Sequence, residues 1–232
     1  MTAFVLVHGA WHGAWCWRRV LPPLWTEGHR AFAVSLSGVG ERAHVPASSV
    51  TLQVHIDDIV NVIEAEELHD VVLVGHSYAG MLITGAVGRI ARRLSRLIYV
   101  DAIVPHPGEA WSRSHSEATR AERRRIIAAT GMLPPPDPSL YGLEGADADW
   151  VARRQTAQPG RLYDEELEFD SESVSTIPRT FISCVKPALQ TIEASRHRAR
   201  TEPGWTYVEL ETGHDPMISA PQALLDILLS TP

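Results

Sequence analysis

Short apolar runs alternate with amphipathic stretches along most of the chain. Phe4-Val5-Leu6-Val7 is a continuous apolar run closed by His8-Gly9, and its length and β-branched content predict a strand buried on both faces. Cys16 to Glu27 reads as a helix stopped by Gly28, a residue free to take the left-handed cap. Arg30 to Leu36 predicts a second strand, closed by the turn residues Ser37-Gly38-Val39-Gly40. Leu52, Ile56, Ile59 and Ile63 recur at helical spacing across Leu52 to Glu66, with Thr51 placed as the N-cap. Val71 to Val74 predicts a third strand, which runs into Gly75-His76-Ser77-Tyr78-Ala79-Gly80 and then an apolar helix from Met81 to Ile90. Further strands are expected at Leu97–Val100, Phe181–Cys184 and Tyr207–Leu210, before a closing helix at Ala220–Leu229.

Strands alternating with helices predict an α/β fold: a mainly parallel sheet of about six strands with helices on both faces. Ligands of such sheets sit outside the carboxyl ends of the strands, so residues just after each strand are the ones to weigh. From about Pro105 to Val174 the alternation stops. This stretch holds Leu133-Pro134-Pro135-Pro136-Asp137-Pro138 and helix-like segments with no strand between them, one of them Ser116 to Thr130. It reads as a small helical cap inserted after the fourth strand, with residues 1–104 and 175–232 as the core and 105–174 as the cap. Arg123-Arg124-Arg125 within it reads as a solvated helix face.

Composition narrows the function classes. At 232 residues, with 44% hydrophobic and 21% charged residues, the chain fits one folded domain with an insertion rather than a disordered polymer. Carboxylates outnumber Lys and Arg by 28 to 21, which argues against a nucleic-acid partner. No apolar run approaches the roughly 18 residues of a membrane span, and no leader signature opens the sequence, so a membrane partner is not expected. The 2 cysteines, Cys16 and Cys184, lie in or beside apolar segments and read as buried free thiols of a reducing, cytoplasmic compartment. A homodimer is compatible with the chain.

The chemistry gathers at strand ends. Gly75-His76-Ser77-Tyr78-Ala79 lies between an apolar strand and an apolar helix, the setting of a nucleophile elbow that lifts a serine hydroxyl above the sheet. Ala79 stands where a second glycine is usual, and Gly80 follows it. His8-Gly9-Ala10-Trp11 follows the first strand, so the backbone N–H groups of Ala10 and Tyr78 are candidates for an oxyanion hole. Thr212-Gly213-His214-Asp215 follows the last strand, which makes His214 the candidate base for Ser77. His12 and His76 read as structural. Trp11, Trp111, Tyr141 and Trp150 are candidates for an apolar substrate pocket.

These residues together resemble the α/β-hydrolase superfamily, and within it the branch of plant methylesterases, hydroxynitrile lyases and related bacterial esterases. The stretches that carry the resemblance are Phe4 to Trp17, Val71 to Met81, Leu97 to Pro105 and Gly213 to Pro221. It implies a serine-dependent hydrolase of a small or aromatic carboxylic ester, with Ser77 as nucleophile, His214 as base, the amides of Ala10 and Tyr78 as oxyanion hole, and neither metal nor organic cofactor. The pattern breaks at the triad acid. The family's acid usually follows the fifth strand, where this chain has Val185-Lys186-Pro187-Ala188, with no carboxylate. Asp101, at the end of the fourth strand, is the leading substitute, a position that haloalkane dehalogenases use. Glu193 and a Ser–His dyad stay open beside it, and Glu202 and Asp215 are weaker. Hydroxynitrile-lyase-like chemistry is an alternative that lacks its lysine after the histidine, since Lys186 is the only lysine. A non-catalytic small-ligand receptor on the same fold is a third reading.

Overall fold

The computed structural model describes residues 1–230. Strands β1 (Ala3–Val7), β2 (Arg30–Val34), β3 (Val71–His76), β4 (Leu94–Val100), β5 (Arg179–Cys184) and β6 (Trp205–Leu210) form one sheet. Their spatial order is β6-β5-β4-β3-β1-β2, and every pairing is parallel. The register aligns the carboxyl ends: Val7 lies opposite Val34 and Gly75, His76 opposite Val100, and Cys184 opposite Leu210. The loops after β1, β3, β4, β5 and β6 therefore leave along one edge.

The helices are α1 (Leu21–Thr26), α2 (Leu52–Ala65), α3 (Ala79–Ile90), α4 (Glu117–Thr130), α5 (Gly145–Ala152), α6 (Ser171–Ser175), α7 (Glu193–Thr201), α8 (Pro216–Ser219) and α9 (Pro221–Ser230). The period-two alternation of each strand feeds two separate cores. Val5, Val7, Leu73, Leu97 and Phe181 face α2 and α3, packing with Ile59, Ile63 and Leu82. Phe4, Leu6, Val74, Ile98 and Ile182 face the other way, onto Trp17, Leu24, Leu224 and Leu228. Both faces of the sheet are covered, as the continuous apolar runs require. Truncating a fully buried member such as Leu73 to Ala removes about 2–5 kcal/mol.

Three local outcomes differ from the pattern read off the chain. The helix expected over Cys16–Glu27 is split into a 3-10 turn, Ala14–Arg19, and α1. Pro22 and Pro23 lack the N–H that a continuous helix would need there, and are tolerated only in a first turn. The 105–174 segment contains two antiparallel pairings, Glu109–Ala110 with Glu166–Leu167 and Met132–Leu133 with Gln158–Pro159. At two residues each they are too short to leave an alternating signature. Neither joins the large sheet. α4 itself starts where its cap predicts: the Ser116 hydroxyl accepts from the Thr119 N–H, and Gly131 closes the helix in the left-handed conformation.

Candidate active site

Ser77 sits in the tight turn from β3 into α3 with φ +54°, a conformation costly for a residue bearing a Cβ. The surrounding structure holds it there: Ser77 N–H donates to the Val100 carbonyl, and its own carbonyl accepts from Gly80 and Ile103. Gly80 is the small residue the elbow needs. A Cβ there would lie 2.0 Å from the Ile103 carbonyl oxygen, whereas Ala79 is accommodated and fully buried. The loop after β1 runs against the turn, since a Cβ on Gly9 would come within 2.8 Å of the Ser77 Cβ. That brings Ala10, buried in this loop, beside the Ser77 turn.

Ser77 Oγ–H donates to His214 Nε2 at 2.9 Å, and His214 Nδ1–H donates to Asp101 Oδ2 at 2.7 Å. Asp101 follows β4 with φ +42°, and its carboxylate is fully buried. Its second oxygen, Oδ1, accepts from Arg196 Nη2 at 2.8 Å and from the Cys184 N–H at 3.2 Å. Arg196, on α7, is 2% exposed and also donates to Ser183 Oγ and to the carbonyls of Leu189 and Cys184. A buried charge is tolerable when paired and fully hydrogen-bonded, and each member of this group meets that condition. The other acids weighed for this place lie elsewhere. Glu193 is half exposed and pairs outward with Arg196 Nη1, and Glu202 pairs with His106 at the surface. Pro187 lies against Gly142 of the 105–174 segment.

Asp215, next to the imidazole in sequence, turns into a second buried cluster. Its oxygens lie 3.4 Å from His12 Nε2 and 3.4 Å from His76 Nε2. Burial alone would push the Asp215 carboxyl up, but His12, with His76 and His214, outweighs it and holds the group at about 2. Burial likewise pushes the His12 imidazole down, and Asp215 outweighs that to raise it. His76 is different: burial, then the charge of His214, drives it well down, and its Nε2–H donates to the His214 carbonyl at 2.9 Å. His12 Nδ1–H donates to the Ala10 carbonyl at 2.8 Å. The cluster thus ties the loops after β1, β3 and β6 together.

Two further histidines brace the edge as neutral rings. His8 Nδ1–H donates to Gly9 O and its Nε2 accepts from the Leu36 N–H. His55 Nε2–H donates to Ser37 O, and its Nδ1 accepts from the Tyr78 hydroxyl at 3.2 Å. Burial lowers them to about 3 and about 4 respectively. The 105–174 segment supplies its own fastenings. The Tyr141 carbonyl accepts from the His214 N–H, the Thr156 N–H donates to the Trp11 carbonyl, and buried Gln158 Oε1 accepts from the Trp11 N–H at 3.0 Å. Trp11 has φ +65°, which those bonds hold in place.

A cavity of about 230 Å³ opens over the serine, lined by Ser77, His214, Trp11, Ile103, Trp111, Tyr141 and Leu189 among others. Trp150 is not among them, contrary to expectation. Its ring packs edge-on to Trp15 at 5.0 Å and carries the Arg154 guanidinium at 4.8 Å. The triple-arginine run also divides. Arg124 and Arg125 pair outward with Asp164 and Glu122, whereas Arg123 turns into the cavity. The expectation of a wholly solvated face is corrected there, since Arg123 and Ile127 share the inner side of α4 at a spacing of four. Gln158 and Arg196 were not singled out from the sequence, where polar residues carry no apolar periodicity to mark them, and Arg123 was read only as part of a solvated run. Among the described residues, only His76, His214 and Asp215 bring ligand atoms close enough for a metal, within 4.8 Å. Both His214 nitrogens are already committed to Asp101 and Ser77.

A family profile described as the alpha/beta hydrolase family matches residues 4–227. The chain belongs to the alpha/beta hydrolase family. Among the relatives of this hydrolase is a carbendazim hydrolyzing esterase of Nocardioides sp. (strain SG-4G), 36% identical over 238 residues and covering 98% of each chain. Methylesterase 1 of Arabidopsis thaliana is 29% identical, over 97% of this chain and 94% of that one. The fold is shared with an extracellular alpha/beta-hydrolase from a Paenibacillus species, with a TM-score of 0.82 at 18% identity, covering 99% of this chain and 98% of that one. Both curated relatives are named as esterases. No helix among its described residues is long and apolar enough to cross a membrane.

Proposed function

We propose that the protein is a serine esterase that cleaves a small or aromatic carboxylic ester through an acyl-enzyme. The observation that carries this reading is the unbroken hydrogen-bond relay from Ser77 Oγ through His214 to Asp101 at the wall of a cavity. Ser77 Oγ attacks the carbonyl carbon as His214 Nε2 takes its proton. The carbonyl π pair moves onto oxygen, where the N–H groups of Ala10 and Tyr78 receive the charge; each such donor contributes about 10²–10³ in rate. His214 then returns the proton to the alkoxide as the C–O bond breaks, leaving acyl-Ser77 and an alcohol. Water repeats the attack with the same base and frees the acid.

Asp101 stays ionised and stabilises the imidazolium. Arg196 and the Cys184 amide act as positioning groups that hold Asp101 Oδ1, so that Oδ2 is presented to the ring. A cavity of about 230 Å³ is smaller than the roughly 300–1,000 Å³ of drug-sized ligand sites, which favours a compact ester. The esterase and methylesterase relatives favour the same class. The two buried, unpaired cysteines, Cys16 and Cys184, fit a cytoplasmic setting.

A fluorophosphonate probe with peptide mapping tests this reading, alongside turnover of p-nitrophenyl acetate. The expected result is one adduct on Ser77 and release of p-nitrophenolate. Folded protein that gives neither would overturn it in favour of a ligand-binding protein.

A further inference from the structure

α4 delivers a guanidinium into the cavity that holds Ser77 and His214. The carbon of that guanidinium lies 5.6 Å from the Trp11 ring, 5.7 Å from Trp111 and 5.5 Å from Tyr163, so the aromatic faces fix its place. They leave one donor unmet: Arg123 Nη1 is buried with no acceptor at hydrogen-bond distance, and the Tyr163 hydroxyl is the polar group that lies near the guanidinium. No carboxylate among the described residues lies within ion-pair distance of it, while its neighbours Arg124 and Arg125 each have one. The cavity also offers no second cation. His115, on the same wall, is held neutral by burial and by the charge of Arg123 itself. Lys186, the chain's one lysine, is exposed and faces Glu211.

A part-buried cation with no counter-ion and a buried nitrogen that lacks an acceptor carries a desolvation cost that a ligand carboxylate would offset. Such an arrangement persists where a ligand supplies the missing partner. A guanidinium presents a planar fork of donors that matches a carboxylate, whose two oxygens it takes together.

We propose that Arg123 is the anchor for a free carboxylate on the substrate, so that the esters cleaved here are half-esters of small dicarboxylic acids. This rests on the serine-esterase reading above and names its substrate class. The scissile carbonyl lies at Ser77 while the distal carboxylate meets Arg123. Binding, rather than the bond-breaking step, carries the preference.

The test compares monomethyl glutarate with methyl valerate, a neutral ester of similar length. For the wild-type enzyme the expected kcat/KM favours the half-ester by tenfold or more, mainly through KM. Arg123→Met is expected to cut that ratio about tenfold, and Arg124→Met, which removes only a surface pair, to leave it in place. Glutarate should raise the Tm of the wild-type protein at matched ionic strength and not that of Arg123→Met. A wild-type enzyme that cleaves methyl valerate as well as the half-ester would overturn the proposal, and needs no variant to read. So would a ratio that survives in folded Arg123→Met. Ser77 labelling reports separately on the esterase reading. If labelling and turnover both fail, the glutarate shift still decides whether Arg123 binds a carboxylate, and no shift overturns it.

Discussion

Two buried aspartates flank the same imidazole and are held in different ways. Asp101 has every oxygen met by a hydrogen bond of 3.2 Å or less, from His214, Arg196 and the Cys184 amide. Asp215 faces His12 and His76 across 3.4 Å and has no hydrogen bond of ordinary length. One carboxylate touches the ring that accepts from Ser77 Oγ. The other fastens three loops by charge. Adjacency in sequence therefore says little about which acid serves the histidine. Asp215 is one residue away and turns aside, while Asp101, 113 residues away, points its Oδ2 at the ring.

Exchanging the charge on each aspartate breaks the comparison most sharply. Asp101→Asn is expected to lower kcat by about 10³–10⁴, the scale set by the equivalent change in serine proteases. Asp215→Asn should keep kcat within about tenfold and act on stability instead. The Asp215 carboxyl, held at about 2 against an ordinary 3.8, stabilises the fold by about 2 kcal/mol above pH 4, and that contribution is lost as pH falls toward 2. His12 is raised, so its share is fully present below 6.5 and fades as pH climbs through its folded value. The Tm gap between wild type and Asp215→Asn should thus be widest between about pH 4 and 6.5, as thermal melts across pH would record.

Next in size is the whole brace of neutral histidines. His8, at about 3, and His55, at about 4, bind protons in the unfolded chain near 6.5 but not in the fold. Stability therefore falls as pH drops from 6.5 toward 3, by on the order of 5 kcal/mol. Acid melts followed by circular dichroism should show the loss beginning near pH 6; a Tm flat from pH 7 to 4 would contradict it.

Arg196→Met tests whether the acid needs its support. Removing one partner of a buried pair costs about 3–5 kcal/mol. We expect that loss together with a kcat decrease of about tenfold to a hundredfold at nearly constant KM. Arg196→Lys should restore part of both. The smallest contrast is between two tryptophans. Trp111→Ala should raise KM several-fold by opening the cavity wall. Trp150→Ala, which strips a ring packed on Trp15 and Arg154, should change kcat/KM less than about threefold.

The sheet was legible because its strands are continuous apolar runs, and a parallel sheet buried on both faces writes itself into sequence that way. Ser77, Asp101 and His214 each follow such a run, so their arrival at one edge follows from strand direction alone. The replacement of the usual acid position by Pro187 pointed toward another strand end. What the chain did not disclose lies in polar side chains that point inward from helices. Arg196 sits in the polar stretch Glu193–Thr201, and Arg123 in a run of three arginines, where charge masks the phase of the helix. Trp150 misled because an aromatic in the 105–174 segment looks alike in sequence whether it faces the cavity or another tryptophan.

The relay is tested most directly by the rate at which a small fluorophosphonate modifies Ser77, since that step needs the base but neither substrate fit nor deacylation. Wild type and Asp215→Asn should react at rates within about tenfold of each other, and folded Asp101→Asn at least a hundredfold more slowly. Equal rates in Asp101→Asn and wild type, or a collapse confined to folded Asp215→Asn, would contradict the account.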